Sequence, residues 1–115
     1  MIIKAVDRTP MQETAPEKGA GLLTLDKLLS QPNQPTHIRT FARATLEPGA
    51  AVGYHVHTGE SESYYILSGT GRYNDNGISM PVQAGDVTFT PNGQGHGLEN
   101  TGEEPLEFIA LIVLD

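Results

Sequence analysis

Residues 49–69 read GAAVGYHVHTGESESYYILSG, and both the fold and the chemistry of this chain turn on them. His55 and His57 stand two apart. On a strand that spacing puts both rings on one face, because side chains alternate with period two. Their Cα atoms then lie roughly 6–7 Å apart, which lets two imidazoles converge on one ion. Glu62 opens the next strand-like run after the short Thr58-Gly-Glu-Ser61 turn. A hairpin is expected to lay its carboxylate beside the histidines, on the adjoining strand. Glu60 lies near the site but its spacing differs from that of Glu62; it is expected to face solvent in the turn, the alternative being a supporting contact to one of the metal ligands.

A second segment, residues 85–100, reads GDVTFTPNGQGHGLEN and can bring in His96 from a third strand. Three neutral imidazoles and one carboxylate, with no sulfur, suit Mn, Fe, Co, Ni, Cu or Zn. They disfavour Ca and Mg, which prefer oxygen shells. Four protein ligands leave up to two positions on a six-coordinate ion, where water, O₂ or a chelating molecule can bind. His37 lies outside both segments and is expected at the surface. Asn100 is expected to bond to backbone.

Outward from these segments, short strand signals recur. Residues 37–47 end at Pro48-Gly49, and runs follow at 51–57, 61–67, 71–74, 78–83, 87–90, 95–100 and 106–114. Asp75-Asn76-Gly77 is a hairpin turn. Residues 1–6 suit a short strand, 7–19 an extended loop, and 30–36 a break. Residues 20–29 fit either a strand or, from Asp26 to Leu29, one helical turn. With 13 Gly and 8 Pro and no long helical pattern, the expected class is all-β, a sandwich or barrel. Residues 1–36 read as an N-terminal extension whose short strands pack on the barrel or on a partner subunit, and 37–115 as the barrel. The last run, LEFIALIVL at 106–114, is apolar on both faces, so its outer face needs a second sheet or a second subunit; a homodimer is expected.

Composition narrows the function classes. A chain of 115 residues fits one domain, and a net charge of −7 disfavours a nucleic-acid partner. The absence of cysteine excludes disulfides, thiolate metal sites, Fe–S clusters and a thiol nucleophile. No apolar run is long enough for a signal core or a membrane span, which makes cytoplasm the default expectation and gives no membrane partner.

The two segments resemble the paired motifs of the cupin family. Residues 49–69 match G-x5-H-x-H-x4-E-x6-G and residues 85–100 match G-x5-P-x-G-x2-H-x3-N, at every position. The resemblance implies a double-stranded β-helix (jelly-roll) barrel with His55, His57, Glu62 and His96 holding one divalent transition-metal ion. It also implies a small, oxygen-rich ligand of carboxylate, diketone or sugar-like type. Dioxygenase, decarboxylase, isomerase and lyase chemistries are those of the family; the alternative is a non-catalytic binding or sensing module. A third reading makes the ion a structural staple.

Other side chains follow from parity. Tyr64, Ile66 and Ser68 share a face with Glu62, and Tyr64 is the candidate catalytic side chain. Tyr54 is expected to point away from His55. Arg39, Phe41 and Arg43 share one face of an earlier strand; facing inward the arginines would clamp an anionic substrate, facing outward they are solvated charges. Phe89, Phe108 and Met80 are expected in the core.

Overall fold

The computed structural model describes residues 1–115 as ten strands in two antiparallel sheets, with short turns of 3-10 helix at Ala5–Asp7 and Pro16–Lys18. In chain order the strands are β1 (Met11–Thr14), β2 (Leu22–Lys27), β3 (Ile38–Leu46), β4 (Ala51–Val56), β5 (Glu60–Ser68), β6 (Thr70–Asp75), β7 (Ile78–Gln83), β8 (Val87–Thr90), β9 (Gly95–Asn100) and β10 (Leu106–Leu114). One sheet runs β1-β2-β3-β10-β5-β8 and the other β4-β9-β6-β7. The expected all-β jelly roll is the observed architecture.

Alternation decides what each strand buries. On β10, Leu106, Phe108, Ala110 and Ile112 point inward, while Ile109, Leu111 and Val113 lie half-buried on the outer face. The four-stranded sheet covers only the inner face, and the outer row has no second sheet over it. Leu23, Leu46, Ile66, Leu98, Leu106 and Phe108 pack into one cluster that fills one end of the barrel. Each such buried side chain contributes roughly 1.5–3 kcal/mol. Asn100 fastens that end: its Nδ2 donates to the carbonyls of Leu46 and Glu104, both at 2.9 Å. Asn76 and Gly77 both take positive φ (49° and 100°), the two-residue geometry that closes the β6–β7 hairpin.

Several expectations change. Residues 1–6 form no strand, and Met1, Ile2 and Val6 are exposed. The strand lies further on, at β1, inside the stretch read as loop. Its Met-Gln-Glu-Thr sequence has no apolar alternation, and β2 templates it through pairs such as Met11↔Leu25. Residues 22–27 settle as strand rather than helical turn. Arg8 grips Asp26 on β2 with two hydrogen bonds, at 3.0 and 3.1 Å. Phe108 is core, but Phe89 (59% exposed) and Met80 (54%) are not. On β8 the inward positions belong to Thr88 and Thr90, and β7 is an edge strand exposed along almost its whole length.

Candidate metal centre

Next to the apolar cluster, whose Leu23 and Phe108 also line a cavity, the barrel interior carries histidine and glutamate, and a β-bulge brings them there. On the β4–β9 ladder Val52 pairs with Leu98 and His55 with His96, three steps on one strand against two on the other. Val52 and His55 differ in parity and would face opposite ways on a regular strand. The extra residue at Gly53-Tyr54 turns both inward. Gly53 is needed there, because a Cβ would strike the Glu17 carbonyl where residues 15–19 cross β4. Tyr54 is left outside, as expected. His57 follows one residue beyond β4.

Glu62 does not arrive by the expected hairpin. β4 and β5 belong to different sheets, and β5 pairs with β10 and β8, with Glu62 opposite Ile112 and Thr90. Thr58 and Gly59 carry the chain from one sheet to the other. Glu62 therefore meets the histidines face to face across the interior. A turn so short reads as a hairpin from sequence, but a jelly roll uses it as a crossing between sheets.

The four groups converge. His57 Nε2, His96 Nε2 and Glu62 Oε1 lie 3.0, 3.0 and 2.9 Å apart in the three pairings. With His55 included, the four donor atoms all fall within 4.8 Å of one another. An ion bonded at about 2.1 Å to two donors at right angles would space them about 3.0 Å apart, so the three edges between His57, His96 and Glu62 fit a shared ion, with His55 slightly further out. Each imidazole also has its Nδ1 engaged elsewhere, which leaves Nε2 for the centre. His55 Nδ1–H donates to the Gly53 carbonyl at 2.8 Å, His57 Nδ1–H donates to Glu60 Oε2 at 2.6 Å, and His96 Nδ1 shares a 2.7 Å hydrogen bond with the Tyr73 hydroxyl. Tyr73 in turn bonds Thr90 Oγ1 at 2.8 Å. The donor chemistry and its supports fit a transition-metal ion.

Glu60 corrects a sequence expectation. It is buried, at 9% exposure, and not a solvent-facing turn residue. It shares parity with Glu62 and Tyr64 on β5, and that alternation was the available signal. Tyr73 carried no comparable signal, because β6 meets β9 only in the folded sheet.

A cavity of about 280 Å³ opens onto the cluster, lined by His55, His57, Glu62 and Tyr64 together with Glu13, Glu17 and Arg39. It sits at the small end of ligand-site sizes. Arg39, Phe41 and Arg43 part company here. Between β10 and β3 the register jumps from Ile112↔Thr40 to Val113↔Ile38, so Arg39 is the unpaired residue of a bulge. Its side chain reaches the cavity lip and donates to Glu60 Oε2 at 2.7 Å. Arg43 instead pairs with Glu107 at 2.7 Å on the outer face, and Phe41 lies on that face beside Leu111. His37 is exposed and outside the cluster.

Burial, and then the nearby Glu62 charge, push the Tyr64 phenol well above the usual tyrosine range, so it stays protonated against the cavity. Burial lowers His96, outweighing the pull of Glu62 in the other direction. Burial by itself would raise Glu60, but hydrogen bonds from Arg39 and His57 hold its carboxyl below the usual range.

Three comparisons place the chain. The cupin domain model matches residues 42–113, and the chain belongs to this family. An oxalate-binding protein of Thermotoga maritima is 44% identical over 114 residues, 99% of this chain and 94% of that one. The crystal structure of a predicted oxalate decarboxylase from Thermotoga maritima superimposes with a TM-score of 0.94 at 43% identity, covering 100% of each chain. The oxalate decarboxylase of Bacillus subtilis is 37% identical over 75 residues, 61% of this chain but 20% of that longer protein.

The buried, neutral His96 makes the metal-free protein acid-labile. Its native pKa lies below the ordinary 6.5, so the unfolded chain binds more protons as pH falls past that value, and stability drops. The depressed Glu60 adds a further loss below its ordinary 4.5. The melting temperature of chelator-treated protein, followed by circular dichroism, is expected to fall between pH 7 and 5 and again below 4.5. A flat profile from pH 7 to 5 would contradict the neutral state of His96.

Proposed function

We propose that this cupin holds one divalent transition-metal ion (Mn, Fe, Co, Ni, Cu or Zn) through His55, His57, Glu62 and His96, and uses it to bind a small dicarboxylate of the oxalate class. The convergence of four donor atoms at the end of a small cavity carries the proposal. Similarity along nearly the whole chain to a protein named for oxalate binding supports the ligand class.

The charges explain why the ion would be needed. Glu13, Glu17 and Glu62 face the cavity, and Arg39 is already paired with Glu60. A dianion entering that cavity meets net negative charge unless a cation is bound. A bound ion supplies Lewis acidity to a carboxylate oxygen. Arg39 stands at the lip with its guanidinium half-exposed, placed to receive a second carboxylate. The protonated Tyr64 hydroxyl is a hydrogen-bond donor at the cavity wall.

A second reading is turnover, in which oxalate and one proton give formate and carbon dioxide. The lip carboxylates Glu13 and Glu17 and the Tyr64 phenol favour it, because each can carry a proton beside the cavity. Similarity to the Bacillus subtilis decarboxylase spans 61% of this chain.

We also propose a homodimer through the outer face of the six-stranded sheet. Two cross-strand rows carry it, Phe41–Leu111–Ser63–Phe89 and Arg43–Ile109–Tyr65–Val87; Tyr65, Val87 and Phe89 are exposed and Phe41, Ile109 and Leu111 half-buried. A largely apolar face of this kind, bordered by the Arg43–Glu107 pair, supports an interface.

His57→Ala is expected to lose most bound metal by elemental analysis, whereas His37→Ala keeps it; equal metal in the two variants would refute the ligand set. Calorimetry with oxalate is expected to give binding heat with Mn²⁺-loaded protein and none with metal-free protein. Equal heats in the two would end the metal-dependent reading, and formate in the same mixture would select turnover over simple binding. Phe89→Lys is expected to shift the sedimentation coefficient from dimer to monomer; a wild-type monomer would dispose of the interface.

A further inference from the structure

Glu60 is not among the four converging donors, yet its Oε2 is a junction. It accepts from His57 Nδ1 at 2.6 Å and from Arg39 Nη2 at 2.7 Å. Two features of the fold bring these groups together. Alternation on β5 points Glu60 into the barrel beside Glu62, and the bulge on β3 turns Arg39 to meet it. The turn before Glu60 is pinned, with Gly59 N–H donating to Asn92 Oδ1 at 2.8 Å.

The three imidazoles are supported unequally. The partner of His55 is a backbone carbonyl and that of His96 a phenol, whereas His57 donates to a carboxylate. A carboxylate accepting the Nδ1 proton fixes the tautomer and makes Nε2 the strongest donor of the three. Arg39 does not reach the centre, and its pairing with Glu60 governs where that carboxylate sits.

We propose that Glu60 is a positioning residue for the metal centre, holding His57 with Nε2 inward, and that Arg39 acts on the ion through Glu60. The proposal rests on the reading that His55, His57, Glu62 and His96 hold a metal. It makes the lip of the cavity part of the affinity machinery. A ligand that draws Arg39 away from Glu60 also alters the support of His57.

The test is a competition titration of full-length protein with Zn²⁺ against a chromogenic chelator. Glu60→Gln keeps the shape and removes the charge, and it is expected to weaken Zn²⁺ binding by about 10–100-fold. Arg39→Met weakens it less. The double variant is expected to be no weaker than Glu60→Gln alone, because both changes act through one group. A purely structural role would not produce that non-additivity. Nitrogen NMR of the metal-free protein supplies an independent readout: the His57 proton sits on Nδ1 in the wild type and distributes over both nitrogens in Glu60→Leu. Should a Glu60 variant fail to fold, the Zn²⁺ affinity of Arg39→Met alone carries the test. Wild-type affinity in Glu60→Gln, additive losses, or an unchanged tautomer would overturn the positioning role while leaving the four-ligand reading intact. A wild-type protein that takes up no Zn²⁺ would overturn both.

Discussion

Glu62 crosses the interior of the barrel to lie 3.0 Å from His57 and 2.9 Å from His96, both on the opposite side. A carboxylate cannot be buried without partners. Here the partners come from the other sheet, so the relative placement of the two sheets and the geometry of the site are one constraint. Sliding one sheet over the other by a residue would strand a buried charge. The apolar cluster, which abuts the site through Tyr64, Tyr73 and Phe108, resists the same slide through packing, and the two together hold the jelly roll in register.

The site depends as much on irregularity as on regular pleating. Two bulges do the aiming. The one at Gly53-Tyr54 lets His55 share a face with Val52, and the one at Arg39 turns a guanidinium from the outer face to the cavity lip. Bulges concentrate next to functional sites because a strict period of two cannot place every needed side chain on one face. Residues 15–19 add to this, with Ala15, Glu17 and Lys18 at positive φ. Such conformations cost free energy in residues other than glycine and persist only where the surroundings enforce them. This strap packs on Gly53 and puts Glu17 at the mouth.

Charge links the site to its proposed ligand. The cavity wall is apolar over much of its area, and its charged groups are acidic apart from Arg39, a pattern suited to attracting a cation first and an anion only afterwards. The protonated Tyr64, the neutral His96 and the ionised Glu60 divide the acid–base states among neighbours a few ångströms apart. Burial drives the first two, and paired hydrogen bonds drive the third.

The sequence by itself determined the strand succession from residue 38 onward, the β6–β7 turn, the all-β class and, through the two motifs that resemble cupins, the jelly roll and the His/Glu set at positions 55, 57, 62 and 96. Those properties are local: alternation, Gly-Pro punctuation and motif spacing act over a few residues. What only the tertiary structure decided was which sheet each donor comes from, which arginine reaches the cavity, and where Phe89 and Met80 point. Those outcomes depend on strand pairing and bulges between residues far apart in the chain. Residues 49–69 thus contain three of the four side chains that converge, but their route was misread: Glu62 faces the histidines from the opposite sheet. Glu60, placed in solvent by its turn, is buried at the junction of His57 and Arg39.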